Sequence, residues 1–165
     1  MSPEEKLLGH FQTYTYSPAF GNAVFEVVKS LGTFPLSSDL RELTIFATAG
    51  FFKAKYPAYV HLPMARQQTT LSKEKIDISA SGEKPGELNE AEDAAFEVAR
   101  ALHITRGPLS DEVFNRCVQA IGKDQILSVI HVASKTGNRC NQYKRPTVNG
   151  SAVTLGSFPY LLLST

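Results

Sequence analysis

The chain has 165 residues, a net charge of +1, 42% hydrophobic and 20% charged residues. That length suits one domain with a sizeable core, and basic residues scattered without clustering leave no electrostatic footprint for nucleic acid. The opening MSPEEKLLGHFQ lacks the basic segment and apolar stretch of a signal peptide, and no apolar run approaches a membrane span, so neither a membrane nor a nucleic acid is expected as a partner.

Helical periodicity dominates from the first pattern onward. SPAFGNAVFEVVKSLG sets Phe20, Val24, Val27, Val28 and Leu31 on one stripe, with Ser17 and Pro18 as a start and Gly32 as a stop. SSDLRELTIFATAGFFKAK opens with Ser38 or Asp39 as the expected cap and carries Leu40, Leu43, Ala47 and Phe51 at helical spacing. Ile45, Phe46 and Phe52 widen its apolar arc, which predicts a central helix buried on most sides. Pro57 fits the first turn of the next helix, whereas Pro63 deprives the Tyr59 carbonyl of its usual partner and is expected to kink or loosen it.

Ser72 caps a short helix, LSKEKIDIS, and SGEKPGE reads as a solvated loop. Asn89 caps EAEDAAFEVARALHI, with acids in its first turn. LSDEVFNRCVQAIG runs from a Ser110 cap to a Gly122 stop. A last helical pattern, KDQILSVIHVASKTGNRCNQYKR, repeats apolar or small residues at Ile126, Ile130, Ala133, Gly137 and Cys140. The expectation is an all-α bundle of about seven helices over residues 1–145. Residues 146–165, rich in Gly, Ser and Thr before FPYLLL, read as an extended tail that docks on a pocket or on a neighbouring subunit.

Four side-chain sets bear on chemistry. Cys117 and Cys140 sit in helical patterns with no C-x-x-C, which fits free buried thiols in a reducing, cytoplasmic setting; a bridge between them is the alternative. The histidines, 10, 61, 103 and 131, show no i, i+4 pairing and no cysteine at ligand spacing, so no metal site is expected. His61, between two prolines, is either packed or a proton-transfer group, and Lys53, Lys55 and Arg66 near it are placed to attract an anionic small-molecule substrate. Glu42 follows Arg41 on the helix expected to be most buried; turned inward it needs a partner, and His61 is the natural one, whose tautomer such a bond would fix. His131, Lys135, Asn138 and Gln142 form a polar stripe, with His131 between Ile130 and Val132 as the member expected to be buried. Tyr14, Tyr16 and Tyr59 either line an aromatic-binding pocket or fill core.

SPAFGNAVFEVVKSLG before LSSDLRELTIFATAGFF, then HLPMARQQTTLSKEKID, LNEAEDAAFEVARAL and a closing GNRCNQY together resemble the carboxymuconolactone decarboxylase-like proteins, which include alkyl hydroperoxidase D. The resemblance spans roughly residues 15–145. Its peroxidase branch carries E-x11-C-x-x-C-x3-H; Glu42 and His61 match that frame, and the cysteine positions fall on Ala54 and Pro57. True decarboxylases of the family tend to have an acidic residue shortly before the histidine, where Lys55 and Pro57 stand here.

The resemblance implies an alkyl hydroperoxidase D-like fold, assembled as a homotrimer or homohexamer with pockets between subunits. Without the thiol pair, what remains is cofactor-independent chemistry: a lyase of decarboxylase type acting on a small cyclic or aromatic acid, a lactone or polyketide intermediate among them. His61 is then the general acid/base and Glu42 its positioner, with Arg66, Tyr59, His131, Lys135 and Asn138 as substrate-binding residues. An isomerase, cyclase or dehydratase using the same base is the alternative within the fold, and a non-catalytic binding or scaffold protein is the alternative outside enzymology.

Overall fold

The computed structural model describes residue 14 and residues 16–142, in which seven α-helices and no strands are found: α1 Pro18–Gly32, α2 Ser38–Phe51, α3 Lys55–Gln68, α4 Lys73–Ser81, α5 Glu90–Thr105, α6 Asp111–Ile121 and α7 Lys123–Gln142. The all-α expectation therefore holds, while His10 and the expected tail at 146–165 lie outside the described residues. Among the described residues no helix is long and apolar enough to cross a membrane.

The helix starts follow local chemistry. Ser72, Asn89 and Ser110 each accept a backbone N–H from the first turn, and Asn89 with Glu92 completes a reciprocal capping box. The cap of α2 is Ser37, one residue before the expected pair: its hydroxyl accepts from the Leu40 N–H, and Ser38 is already helical. Asp39 instead ties α2 to the end of α3, accepting the Thr70 N–H at 2.9 Å and the Thr70 hydroxyl.

Pro63 does not interrupt α3, which is helical throughout Lys55–Gln68. The ring lies on an exposed position, and Tyr59, whose carbonyl loses its N–H partner, also lies on the solvent side. Water can therefore replace the missing bond.

The core forms around α2 and α5, with α2 packed against α3, α4, α5 and α7. Residues 42–49 of α2 are all buried, as the wide apolar arc predicts. Phe46 and Phe96, one from each central helix, are fully buried in a cluster with Leu43, Ala65 and Ile76. A second cluster joins Ile45, Val98, Cys117, Ile126 and Val129. Each such aromatic contributes roughly 1.5–3 kcal/mol by leaving water.

Helix α4 approaches α2 at backbone distance. A Cβ on Gly50 would lie 2.3 Å from the Gly82 Cα, and Gly82 closes α4 in the left-handed region at φ +92. Both positions therefore require glycine.

At the other extreme, α1 buries only Gly21 and Val24. Phe20 and Val27 of its apolar stripe face solvent, while Tyr14 is buried against Phe20 and Phe25.

Candidate functional site

Helices α2 and α3 form a hairpin, and its two halves carry different chemistry. Glu42 lies in the first half of α2, where every neighbour from Leu43 to Ala49 is buried. Its own exposure is 4%. An ionised carboxylate removed from water to that degree needs a partner, since an unpaired one is penalised by several kcal/mol. His61 supplies it from α3: Nδ1 stands 3.0 Å from Oε2 and 3.3 Å from Oε1 of Glu42.

A carboxylate only accepts, so Nδ1 carries the hydrogen and donates it, leaving the lone pair of the neutral ring on Nε2. The His61 side chain retains 19% exposure. Among the described residues Nε2 has no hydrogen-bond partner. The arrangement is thus a positioned imidazole with one nitrogen anchored and the other available to a reacting molecule.

The other residues singled out from sequence are arranged differently. Arg66 is held by Asp77 of α4 at 2.7 Å, on an exposed surface. It stands five residues beyond His61, which turns it about 140° around the helix. Tyr59 is 72% exposed and Tyr16 78%, so of the three tyrosines only Tyr14 fills core.

On α7, Asn138 is exposed and Lys135 half-buried, while the side chain of Gln142 lies outside the described part. His131 is exposed, contrary to the expectation of burial, with its ring tilted against Phe34 at 5.6 Å. Its apolar neighbours Ile130 and Val132 do not share its direction, because adjacent helical residues are about 100° apart. The structure thus brings Glu42 and His61 together and leaves Arg66 and Tyr59 on other faces of α3.

The tip of the hairpin is a second, separate feature. The Lys53 N–H bonds to the Gly50 carbonyl at 3.0 Å and the Ala54 N–H to the Ala49 carbonyl at 2.9 Å, closing α2 as a Schellman motif. Lys53 occupies the left-handed position of that motif at φ 52, where glycine is the unstrained residue. Ala54 is the N-cap of α3 and offers no side-chain bond to it. A cavity of about 680 Å³ opens here, lined by Phe51, Phe52, Lys53, Ala54, Lys55 and Tyr56, with Cys140 of α7. Neither Glu42 nor His61 lines it.

Behind this cavity stands His103, which nothing in the sequence marks as special. Its ring stacks on Phe51 at 5.5 Å and meets Phe52 edge-on at 4.9 Å, and Nε2 is buried with no hydrogen-bond partner. Burial lowers its pKa below the ordinary 6.5. Gly137 makes the room: a Cβ there would come within 2.7 Å of the His103 ring. The only sequence signal for this cluster is the double phenylalanine at the end of α2, and that reads equally well as core.

Both cysteines are buried and free. Burial, assisted by the Glu97 carboxylate, raises the pKa of Cys117, so its thiol stays protonated near neutrality and is a poor nucleophile. Among the described residues no three His, Cys, Asp or Glu side chains are grouped to hold a metal ion. No family model matches the chain and no curated protein shows significant similarity to it. The arrangement that can carry chemistry is the hydrogen bond between Glu42 and His61.

Proposed function

We propose that the protein is a cofactor-independent enzyme of the carboxymuconolactone decarboxylase-like type, a lyase acting on a small cyclic or aromatic acid in the cytoplasm. The observation that carries this reading is the buried Glu42 carboxylate anchoring Nδ1 of His61 and leaving Nε2 without a protein partner. In decarboxylation the bond between the carboxylate carbon and its neighbour breaks, CO2 departs, and the electron pair spreads into an adjacent carbonyl. The imidazolium, stabilised by Glu42, then delivers the Nε2 proton to the carbon and recovers one from water.

A cation must hold the substrate's anionic end. Arg66 is engaged by Asp77 on another face of α3, so this role is left to a neighbouring subunit of the homotrimer or homohexamer that the resemblance implies. The open apolar face of α1, with Phe20 and Val27 exposed, supports such an assembly.

A second reading draws on the same bond. With Glu42 accepting from Nδ1–H, the neutral ring is already a base at Nε2, the form needed to abstract a proton in an isomerase, cyclase or dehydratase. Incubating the pure protein with panels of cyclic and aromatic acids and following mass separates the readings. Loss of CO2 supports the lyase, loss of water or an isobaric product supports the second reading, and no change across the panel favours a non-catalytic scaffold.

A further inference from the structure

The cavity at the hairpin tip has a size, a wall and a charge that the Glu42–His61 pair does not use. Its volume of about 680 Å³ lies within the range of small-molecule pockets. Phe51 and Phe52 form an aromatic wall, meeting edge to face at 5.1 Å, and His103 packs against both rings and holds them in place. Tyr56 adds a third ring to the lining. An apolar wall of this kind accepts a flat ring on its face or edge.

The charge is of one sign. Lys53 and Lys55 are exposed at the cavity, and among the described residues no acidic residue lines it. Lys29, Lys75 and Lys84 each pair with a carboxylate, whereas among the described residues Lys53 and Lys55 do not. Lys53 moreover occupies the left-handed position of the α2 terminus, where glycine would be less strained.

We infer that this cavity binds a small planar carboxylate, an aromatic or cyclic acid, with its ring against Phe51, Phe52 and Tyr56 and its carboxylate on Lys53 and Lys55. The site stands apart from the acid/base pair. Tyr56, the lining residue nearest to His61 along α3, is about 7.5 Å from it along the helix axis. Binding here therefore holds whether or not His61 transfers a proton.

Calorimetric titration with 2-naphthoate, and with neutral 2-naphthylmethanol as control, tests the assignment. Four proteins serve: the unmodified chain, the Lys53→Gly/Lys55→Ala double variant, Ala54→Leu, which intrudes on the cavity, and His61→Ala, each checked for folding by thermal melt. The unmodified chain should bind naphthoate, more weakly as salt rises, and the double variant should lose roughly tenfold in affinity. The double variant should at the same time melt at a higher temperature, through relief of the left-handed backbone at Lys53→Gly, which a merely structural lysine would not combine with lost affinity. Ala54→Leu should weaken both ligands, and His61→Ala should bind as the unmodified chain does. No binding at millimolar naphthoate, equal affinity in the double variant, or loss confined to His61→Ala would each overturn the proposal.

Discussion

Two histidines stand at opposite ends of α2, each against a different kind of neighbour. His61 meets a carboxylate from the buried stretch 42–49 of the helix, so one ring nitrogen is satisfied, and the second has no partner among the described residues. His103 meets two phenylalanines at the other end and keeps a buried nitrogen with no partner. The second environment resists protonation of the ring, because aromatic rings and burial do not replace water. The same side chain thus serves as a proton-handling group at one end and as a packing element at the other. Sequence type alone does not distinguish the two.

The comparison breaks most visibly at His61. His61→Ala should lower turnover by roughly 10²–10⁴-fold on whichever acid the mass screen identifies, with the fold retained. Glu42→Gln should lose less, and the double variant little more than His61→Ala alone, as for two groups acting as one unit. Multiplicative losses in a kinetic double-mutant cycle would separate the pair. An unfolded His61→Ala with no selective loss of rate would make it a packing residue like its counterpart.

At the other end the expected readout is stability. Gly137→Ala should destabilise by about 1–3 kcal/mol in denaturant titration, since the new methyl presses on the His103 ring with Phe52 3.2 Å away on another side. His103 also gives stability a pH dependence. Its folded pKa lies below the ordinary 6.5, so the unfolded chain takes up the proton first as pH falls. Its contribution is complete above that value and declines as pH drops from 6.5 toward the lower folded pKa. Melting temperatures at pH 7.5 and 5.5 should therefore differ less in His103→Phe than in the unmodified chain. The smallest effect concerns the hairpin tip: Lys53→Gly should gain about 1 kcal/mol by relieving the left-handed backbone, read as a higher denaturation midpoint.

Much of the architecture was legible because it is written locally. Caps at Ser72, Asn89 and Ser110 and the stop at Gly122 depend on residues within one turn of each other. The Glu42–His61 contact was legible for a related reason: one tight hairpin returns α3 along α2, so a fixed spacing becomes a fixed distance. His131 is exposed against expectation because adjacent helical residues do not share a face, and α3 stays helical through Pro63 because solvent compensates a lost bond that a buried helix would miss. The His103 cluster was not legible at all. It is assembled from the end of α2, the end of α5 and Gly137 on α7, and no local pattern links these three segments.

The contact of Gly50 with Gly82 has a consequence for motion. Two helices that touch through bare backbone have no side-chain cushion between them, so neither can slide past the other by even one residue without collision. The α2–α4 crossing behaves as a mechanical stop. The buried stretch 42–49 of α2, which sets Glu42 in front of His61, lies on the helix whose register against α4 is fixed by this contact, one with no chemistry of its own.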